Sequence, residues 1–337
     1  MTKKIVYIDN FLSSHGRTPV TGEAMVKLFT NEGFEVVYAS RVNNKFIRLI
    51  DMLKTIYRHR KKSTVLIATY STSAFYFAWI CGTLCKKLNI PYIPCLHGGN
   101  LPQRIKQSYS KSRQFFGNAV VNVAVSGYLE KSIKANHWPC VVIPNYITLA
   151  DYPFYKKETC KPKLLWVRSF HKIYNPQLAI NVLYELLKTY PETTLTMVGP
   201  DKDGSMQECL QLAATLNITS HINFTGLLSK TEWIKLAVSH DIFINTSNFD
   251  NLPVSIIEAM ALGFPVVSTN AGGIPFLIED GIDGLLVENN NLERMLSAIK
   301  TILSDNHLAK ELSENARSTA CSFDYPNVAD KWKKLLG

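Results

Sequence analysis

The sequence lacks paired cysteines. Its seven cysteines include no Cys-x-x-Cys; Cys81 and Cys85 lie four apart, as two core positions of one helix would. That spacing argues against the common zinc modules, and an odd number of thiols fits reduced cysteine rather than a disulfide framework. Long hydrophobic runs are also missing. No stretch reaches the roughly 18 apolar residues of a membrane-spanning helix, although 46% of the chain is hydrophobic. No secretory leader is legible, because Lys3-Lys4 runs at once into the short apolar stretch 5–8 and then Asp9. A cytoplasmic location is expected. Repeats and low-complexity tracts are absent.

Acidic residues are scarce in the first half. Residues 1–150 hold 6 Asp and Glu against 20 Lys and Arg, whereas residues 151–337 hold 21 against 17. The first half should present a basic surface to an anionic partner, either a nucleic acid or an anionic membrane. The cations are dispersed, without a zinc-finger or RNA-recognition signature, so no nucleic acid is expected. Residues 44–62 favour the membrane. Phe46, Leu49, Ile50, Leu53, Ile56 and Tyr57 recur at helical spacing, with lysines and arginines over the remainder. Such a helix either packs its apolar side on the core or lies on anionic lipid.

What the sequence does have is length for two cores, at 337 residues, and one informative stretch, residues 248–261. The apolar run 241–245 reads as a buried strand. Pro253 suits a first helical turn, Gly263 a helix end, and 265–269 the next strand. This is a βαβ unit whose loop opens at the carboxyl edge of a parallel sheet, where ligands bind. Glu258 stands on an otherwise small, apolar helix, with Val254, Ser255, Ala261 and Leu262 as its helical neighbours. No cation there can pair with it. Either that face meets water, or Glu258 accepts hydrogen bonds from a ligand rich in hydroxyls. Asp250 lies in the loop, and the helix N-terminus between the two acids offers free N–H groups to a phosphate. Two carboxylates and an amide cluster suit a sugar nucleotide. Arg168 follows the strand 163–167, where its guanidinium can grip a diphosphate.

The first half opens as strand 5–8, a glycine-bearing loop 10–21, helix 22–32 and strand 34–38. A strand at 64–68 and a buried helix at 74–88 follow. Strand 91–95 ends in Leu96-His97-Gly98-Gly99-Asn100, where the glycines would let a ligand approach the backbone. Residues 101–114 read as a mobile basic loop, and Ser126 as the cap of a further helix.

Asp250-x7-Glu258, followed by Ala-Met-Ala-Leu-Gly-Phe-Pro-Val-Val and Ala271-Gly-Gly-Ile-Pro275, resembles the signature of group 1 (family 4) glycosyltransferases. The resemblance implies a retaining, nucleotide-sugar-dependent enzyme. Its fold would be the α/β GT-B fold: two Rossmann-like, doubly wound parallel-sheet domains facing a central cleft. The domains would be 1–150 for the acceptor, 151–162 as linker and 163–320 for the donor, with 321–337 as a helix returning to the first. The family's usual first acid is Glu, where this sequence has Asp250. By the same resemblance, Asp250, Glu258, Arg168 and His97 are the catalytic set. The donor would meet Arg168, Lys172, Gly226, Leu227, Asp250, Asn251, Leu252, Pro253 and Glu258. Lys172 follows Arg168 at a spacing one residue shorter than usual, so it is either a second phosphate ligand or a solvated lysine. The acceptor would meet Gly16, His97, Gly98, Gly99 and Asn100, although the adjacent glycine pair usual near Gly16 is missing. The expected reaction moves a hexose-type sugar, from a UDP-sugar rather than a GDP-sugar, to a glycan or lipid-linked acceptor in cell-surface polysaccharide or glycolipid synthesis. Neither a metal nor a further cofactor is expected, and the enzyme would rest on the inner membrane face. Another GT-B enzyme, such as a sugar-nucleotide epimerase or a phosphorylase, is the alternative.

Overall fold

Residues 4–12 and 21–337 are described by the structure, a computed structural model. The chain forms two units, one of 1–145 with 328–337 and one of 146–327.

The first unit is built on a six-stranded parallel sheet. Its strands are β1 (Lys4–Ile8), β2 (Glu35–Ala39), β3 (Ser63–Thr69), β4 (Tyr92–Leu96), β5 (Asn122–Ala124) and β6 (Cys140–Val142), in the order β2-β1-β3-β4-β5-β6. Helices α1 (Thr21–Asn31), α2 (Lys45–Arg58), α3 (Ala74–Lys87), α4 (Leu101–Gln107), α5 (Tyr109–Phe116) and α6 (Gly127–Lys134) make the crossovers. β1, β3 and β4 are almost wholly buried, as strands covered on both faces must be. Ser126 caps α6 by accepting from the Leu129 N–H.

One expectation fails here. Residues 101–114 are no loop: they form α4 and most of α5. The polar composition hid a helical register in which Leu101, Ile105, Ser112, Phe115 and Phe116 are buried. α2 does not turn its richest apolar side to the core. Its packed face consists of Arg48, Met52 and Ile56, while Phe46, Ile50 and Tyr57 are exposed.

The second unit repeats the plan. Its strands β7 (Lys163–Val167), β8 (Thr194–Val198), β9 (Ile222–Gly226), β10 (Ile242–Asn245), β11 (Val266–Thr269) and β12 (Leu285–Val287) run in parallel in the order β12-β11-β10-β7-β8-β9. Helices α7 (Pro176–Leu187), α8 (Ser205–Thr215), α9 (Lys230–Ala237), α10 (Val254–Leu262), α11 (Leu292–Ser304) and α12 (Asn306–Cys321) cover it. The strand order reverses direction at β7 and β10, the point at which open α/β sheets bind ligands. α10 ends where Gly263 adopts φ +87°, a conformation open to glycine at little cost. The 151–162 stretch, expected as a linker, is built into this unit: Tyr152 and Lys157 are buried, and the Lys157 ammonium donates to the His240 carbonyl at 2.6 Å. The last helix, α13 (Tyr325–Leu336), contributes residues 328–336 to the first unit, where Trp332 meets Phe29 edge to face at 5.2 Å. No described helix is long and apolar enough to cross a membrane.

Candidate active site

The second unit gathers its polar groups at the carboxyl ends of β7, β8 and β10. Arg168 leaves β7 beside Gly199, which follows β8. A Cβ on Gly199 would lie 1.9 Å from the Arg168 carbonyl oxygen, so only glycine allows this approach. The Arg168 N–H donates to Val198 and the Gly199 N–H to Gly226, at 2.9 and 2.8 Å, which extends the strand pairing to the edge. The Arg168 guanidinium is ion-paired with Asp250 and lies 4.4 Å from the centre of the Tyr174 ring. Burial opposes its charge, while Tyr174 and Glu258 support it. Its Nε–H is buried and has no partner.

Asp250 is held from two directions. Its carboxylate accepts from its neighbour Asn251 N–H at 2.8 Å, and its carbonyl accepts from the Gly273 N–H at 2.8 Å. The Gly272-Gly273 pair serves the loop: a Cβ on Gly273 would stand 1.8 Å from the Asn251 carbonyl oxygen, and one on Gly272 would stand 2.2 Å from that of Asp250. The other end of the loop is tied down by the Asn248 N–H, which donates to Ile173 at 2.8 Å, and by the Thr246 hydroxyl, which donates to Tyr174 at 2.8 Å.

α10 begins directly after this loop. The first N–H groups of a helix have no partner within it. Two corrections apply to residues 251–253 as phosphate donors: Pro253 has no N–H, and that of Asn251 is engaged by Asp250. The Ser255 hydroxyl in the first turn is buried without a partner. Glu258, one turn on, is half-buried and is not unpaired. The Tyr152 phenol, 106 residues earlier, donates to its Oε1 at 2.5 Å. Burial raises the carboxyl's pKa, and Tyr152, Lys230 and Arg168 each act to lower it. The Lys230 ammonium sits 4.4 Å from the Tyr152 ring centre and 3.3 Å from Asp151. Tyr152, Tyr174, Ser255 and Lys230 were not foreseen; none carries a local motif.

The other predicted donor residues divide. Gly226 ends β9 at φ +69° with open space around it, and Leu227 is 75% exposed. Lys172 is exposed, with its ammonium 3.5 Å from Glu208 rather than in the Arg168–Asp250 pair. One Asp-x-Asp does occur, at Asp201-Lys202-Asp203, which the expectation of a metal-free site passes over. Asp201 accepts from the Asp203 and Gly204 N–H groups, and Asp203 from the Lys172 and Ser205 N–H groups, so both acids serve the turn before α8.

The first unit has its own cluster at the carboxyl ends of β1, β3 and β4. The Tyr70 hydroxyl donates to the buried Asp9 carboxylate at 3.2 Å, and the Tyr70 ring lies 5.8 Å from that of His97. Burial raises the Asp9 pKa from 3.8 to about 6 and lowers that of His97 from 6.5 to about 4. Both His97 ring nitrogens are buried without a partner. Gly98 was read as leaving room for a ligand, yet a Cβ there would stand 2.5 Å from the Ser71 nitrogen, so the approach it permits is to the chain itself. Gly99 is half-buried and Asn100 exposed before α4, and Gly16 lies outside the described residues.

Two parallel α/β units, one carrying a half-buried arginine and two acids at its switch point, have the architecture of the GT-B fold. The family of group 1 glycosyl transferases matches residues 152–319, and the chain belongs to it. An uncharacterized glycosyltransferase of Methanocaldococcus jannaschii is 26% identical over 309 residues, covering 88% of this chain and 83% of that one. The lipopolysaccharide core biosynthesis glycosyltransferase LpsE of Rhizobium meliloti is 31% identical over 158 residues, covering 46% of this chain and 45% of that protein. Among solved structures, HepE of Anabaena in complex with UDP and glucose superimposes with a TM-score of 0.76 at 17% identity, covering 99% of both chains.

Proposed function

We propose that the protein is a retaining glycosyltransferase that moves a hexose from UDP to a glycan or lipid-linked acceptor. The observation that carries this reading is the half-buried Arg168 guanidinium, whose Nε–H is buried and unpartnered, close in the fold to the loop and first turn of α10. A partly shielded cation with spare donor capacity suits a diphosphate. On donor binding, Arg168 exchanges the Asp250 carboxylate for the diphosphate, and Asp250 is released to accept from sugar hydroxyls. Glu258, oriented by Tyr152, accepts from the ribose hydroxyls. Gly226 and Leu227 border the base. Within the first unit, burial holds the His97 pKa down at about 4, so its neutral ring can offer one donating and one accepting nitrogen to a hydroxyl of the acceptor.

In the reaction the bond from the anomeric carbon to the diphosphate oxygen breaks. The acceptor oxygen bonds that carbon on the same face, and the acceptor's proton passes to the departing diphosphate. Arg168 stabilises the charge that develops there. The UDP bound to HepE supports uridine, and LpsE's named role supports a cell-surface glycan. The excess of cations in residues 1–150 supports an anionic membrane as partner and the inner membrane face as location.

A panel of UDP- and GDP-sugars, assayed for nucleotide release with and without a glycan or lipid-linked acceptor, tests the reading. UDP release from one UDP-hexose, with an α-linked product from an α-linked donor, is expected. An inverted product removes the retaining assignment, release of a free epimerised sugar points to an epimerase, and a sugar phosphate formed from a glycan and added inorganic phosphate, with no nucleotide released from any donor, points to a phosphorylase.

A further inference from the structure

The outward face of α2 is apolar. Phe46 is 73% exposed, Ile47 54%, Ile50 50% and Tyr57 54%. At 3.6 residues per turn, positions 46, 50 and 57 fall within about 40° of one another, with 47 at the edge of the same stripe. Arg48, Met52 and Ile56, the packed side, lie on roughly the opposite side of the helix. The apolar stripe is therefore not the core face of an ordinary surface helix. It also has a fixed orientation, because the Asn44 side chain caps the first turn by accepting from the Phe46 and Ile47 N–H groups at 3.0 and 3.2 Å.

Cations frame the stripe. Lys45, Lys54 and Arg58 are exposed on the helix, Lys61 and Lys62 just after it, and none forms an ion pair among the described residues. Asp51 is the helix's one acid and is half-buried. Arg60 lies over the Tyr57 ring at 4.2 Å, which leaves a cation at the edge of the stripe. Large apolar side chains with basic residues around them match the boundary of an anionic bilayer, where rings and branched chains enter the acyl region and ammonium groups meet phosphates.

We infer that α2 is a membrane-docking helix that inserts Phe46, Ile47, Ile50 and Tyr57 into the headgroup boundary of an anionic bilayer. This sharpens the membrane-surface reading above and rests on it: general basic charge predicts adsorption, whereas this stripe predicts insertion by one helix. The donor chemistry is independent of it.

The test is co-sedimentation of the full chain with vesicles of phosphatidylcholine alone, or of phosphatidylcholine with phosphatidylglycerol. The expected result is binding to the anionic vesicles that weakens as salt rises. The double substitution F46S/I50S should weaken it by about tenfold or more without lowering Tm, since both side chains face outward. Lys45→Glu with Lys54→Glu should abolish the preference for anionic lipid. Three results would overturn the inference. Wild-type chain fails to bind at low salt, F46S/I50S binds as well as wild type, or wild type forms a lipid-free dimer that F46S/I50S does not. The last outcome would assign the stripe to a second copy of the chain. UDP release by F46S/I50S without vesicles separates the readings: if it persists while vesicle binding never occurs, only the membrane assignment falls.

Discussion

The Tyr152 phenol donates to Glu258 across 2.5 Å. The acid on α10 is thus aimed by a residue that precedes β7, and the hydrogen bond offsets part of the cost of burying a carboxylate on an apolar helix. Tyr152→Phe keeps the ring and removes the donor. It should cost about 1.5–3 kcal/mol of stability in urea denaturation, the usual net worth of a hydrogen bond to a charged group. It should also raise KM for the donor sugar more than it lowers kcat. An unchanged KM would mean that Tyr152 only fills space.

Arg168 should be the most sensitive position. Arg168→Ala should lower kcat/KM by about 10²–10³, the range for loss of a group that stabilises developing charge. Arg168→Lys should recover little of this, because an ammonium cannot reproduce the planar fork between Asp250, Tyr174 and an incoming diphosphate. Steady-state kinetics with the preferred donor would check both. Near-full activity in Arg168→Lys would show that a point charge suffices.

Gly273 tests the loop. Its φ of −93° suits any residue, so the effect of Gly273→Ala isolates the clash of a Cβ with the Asn251 carbonyl oxygen, 1.8 Å away. The loop must shift, which should cost on the order of 2 kcal/mol and move Asp250 away from Arg168. Donor affinity by calorimetry and Tm by thermal melting should fall together. A stable variant with normal affinity would show the loop to be more pliable than its hydrogen bonds imply.

The sequence displayed the frame of the second unit well. β7 and β10 fall where their apolar runs place them, and Gly263 ends α10 as a helix-terminal glycine should. Local patterns carry that information. The environment of Glu258 was only half legible: the absence of a nearby cation was visible, but Tyr152 arrives from 106 positions away. Gly272-Gly273 shows a related limit, since a glycine pair signals close approach without saying what approaches. α2 shows a different limit. Its periodicity marks an amphipathic helix, yet the packed face uses the stem of Arg48 with Met52 and Ile56, and the richer apolar side faces outward. Pattern alone ranks faces by hydrophobicity; it cannot tell which of them the sheet covers.

The Asp9–Tyr70–His97 cluster predicts an unusual pH profile. In the folded chain the Asp9 pKa rises from 3.8 to about 6, so the folded state holds more protons than the unfolded one across that window and stability falls as pH rises through it. The His97 pKa falls from 6.5 to about 4, so the unfolded state holds more protons there and stability is lost as pH falls. Each effect is on the order of 3 kcal/mol, because a tenfold change in proton affinity corresponds to about 1.4 kcal/mol. They nearly cancel between pH 4 and 6 in the wild-type chain. Single substitutions should expose them with opposite slopes. Asp9→Asn leaves the His97 effect, and the variant should lose stability on acidification from pH 6.5 to 4 relative to wild type. His97→Gln leaves the Asp9 effect, and that variant should gain stability on acidification from pH 6 to 4. Urea midpoints measured for the three chains at half-unit pH steps would reveal the two slopes. Parallel profiles would mean that neither group keeps its shifted pKa in solution.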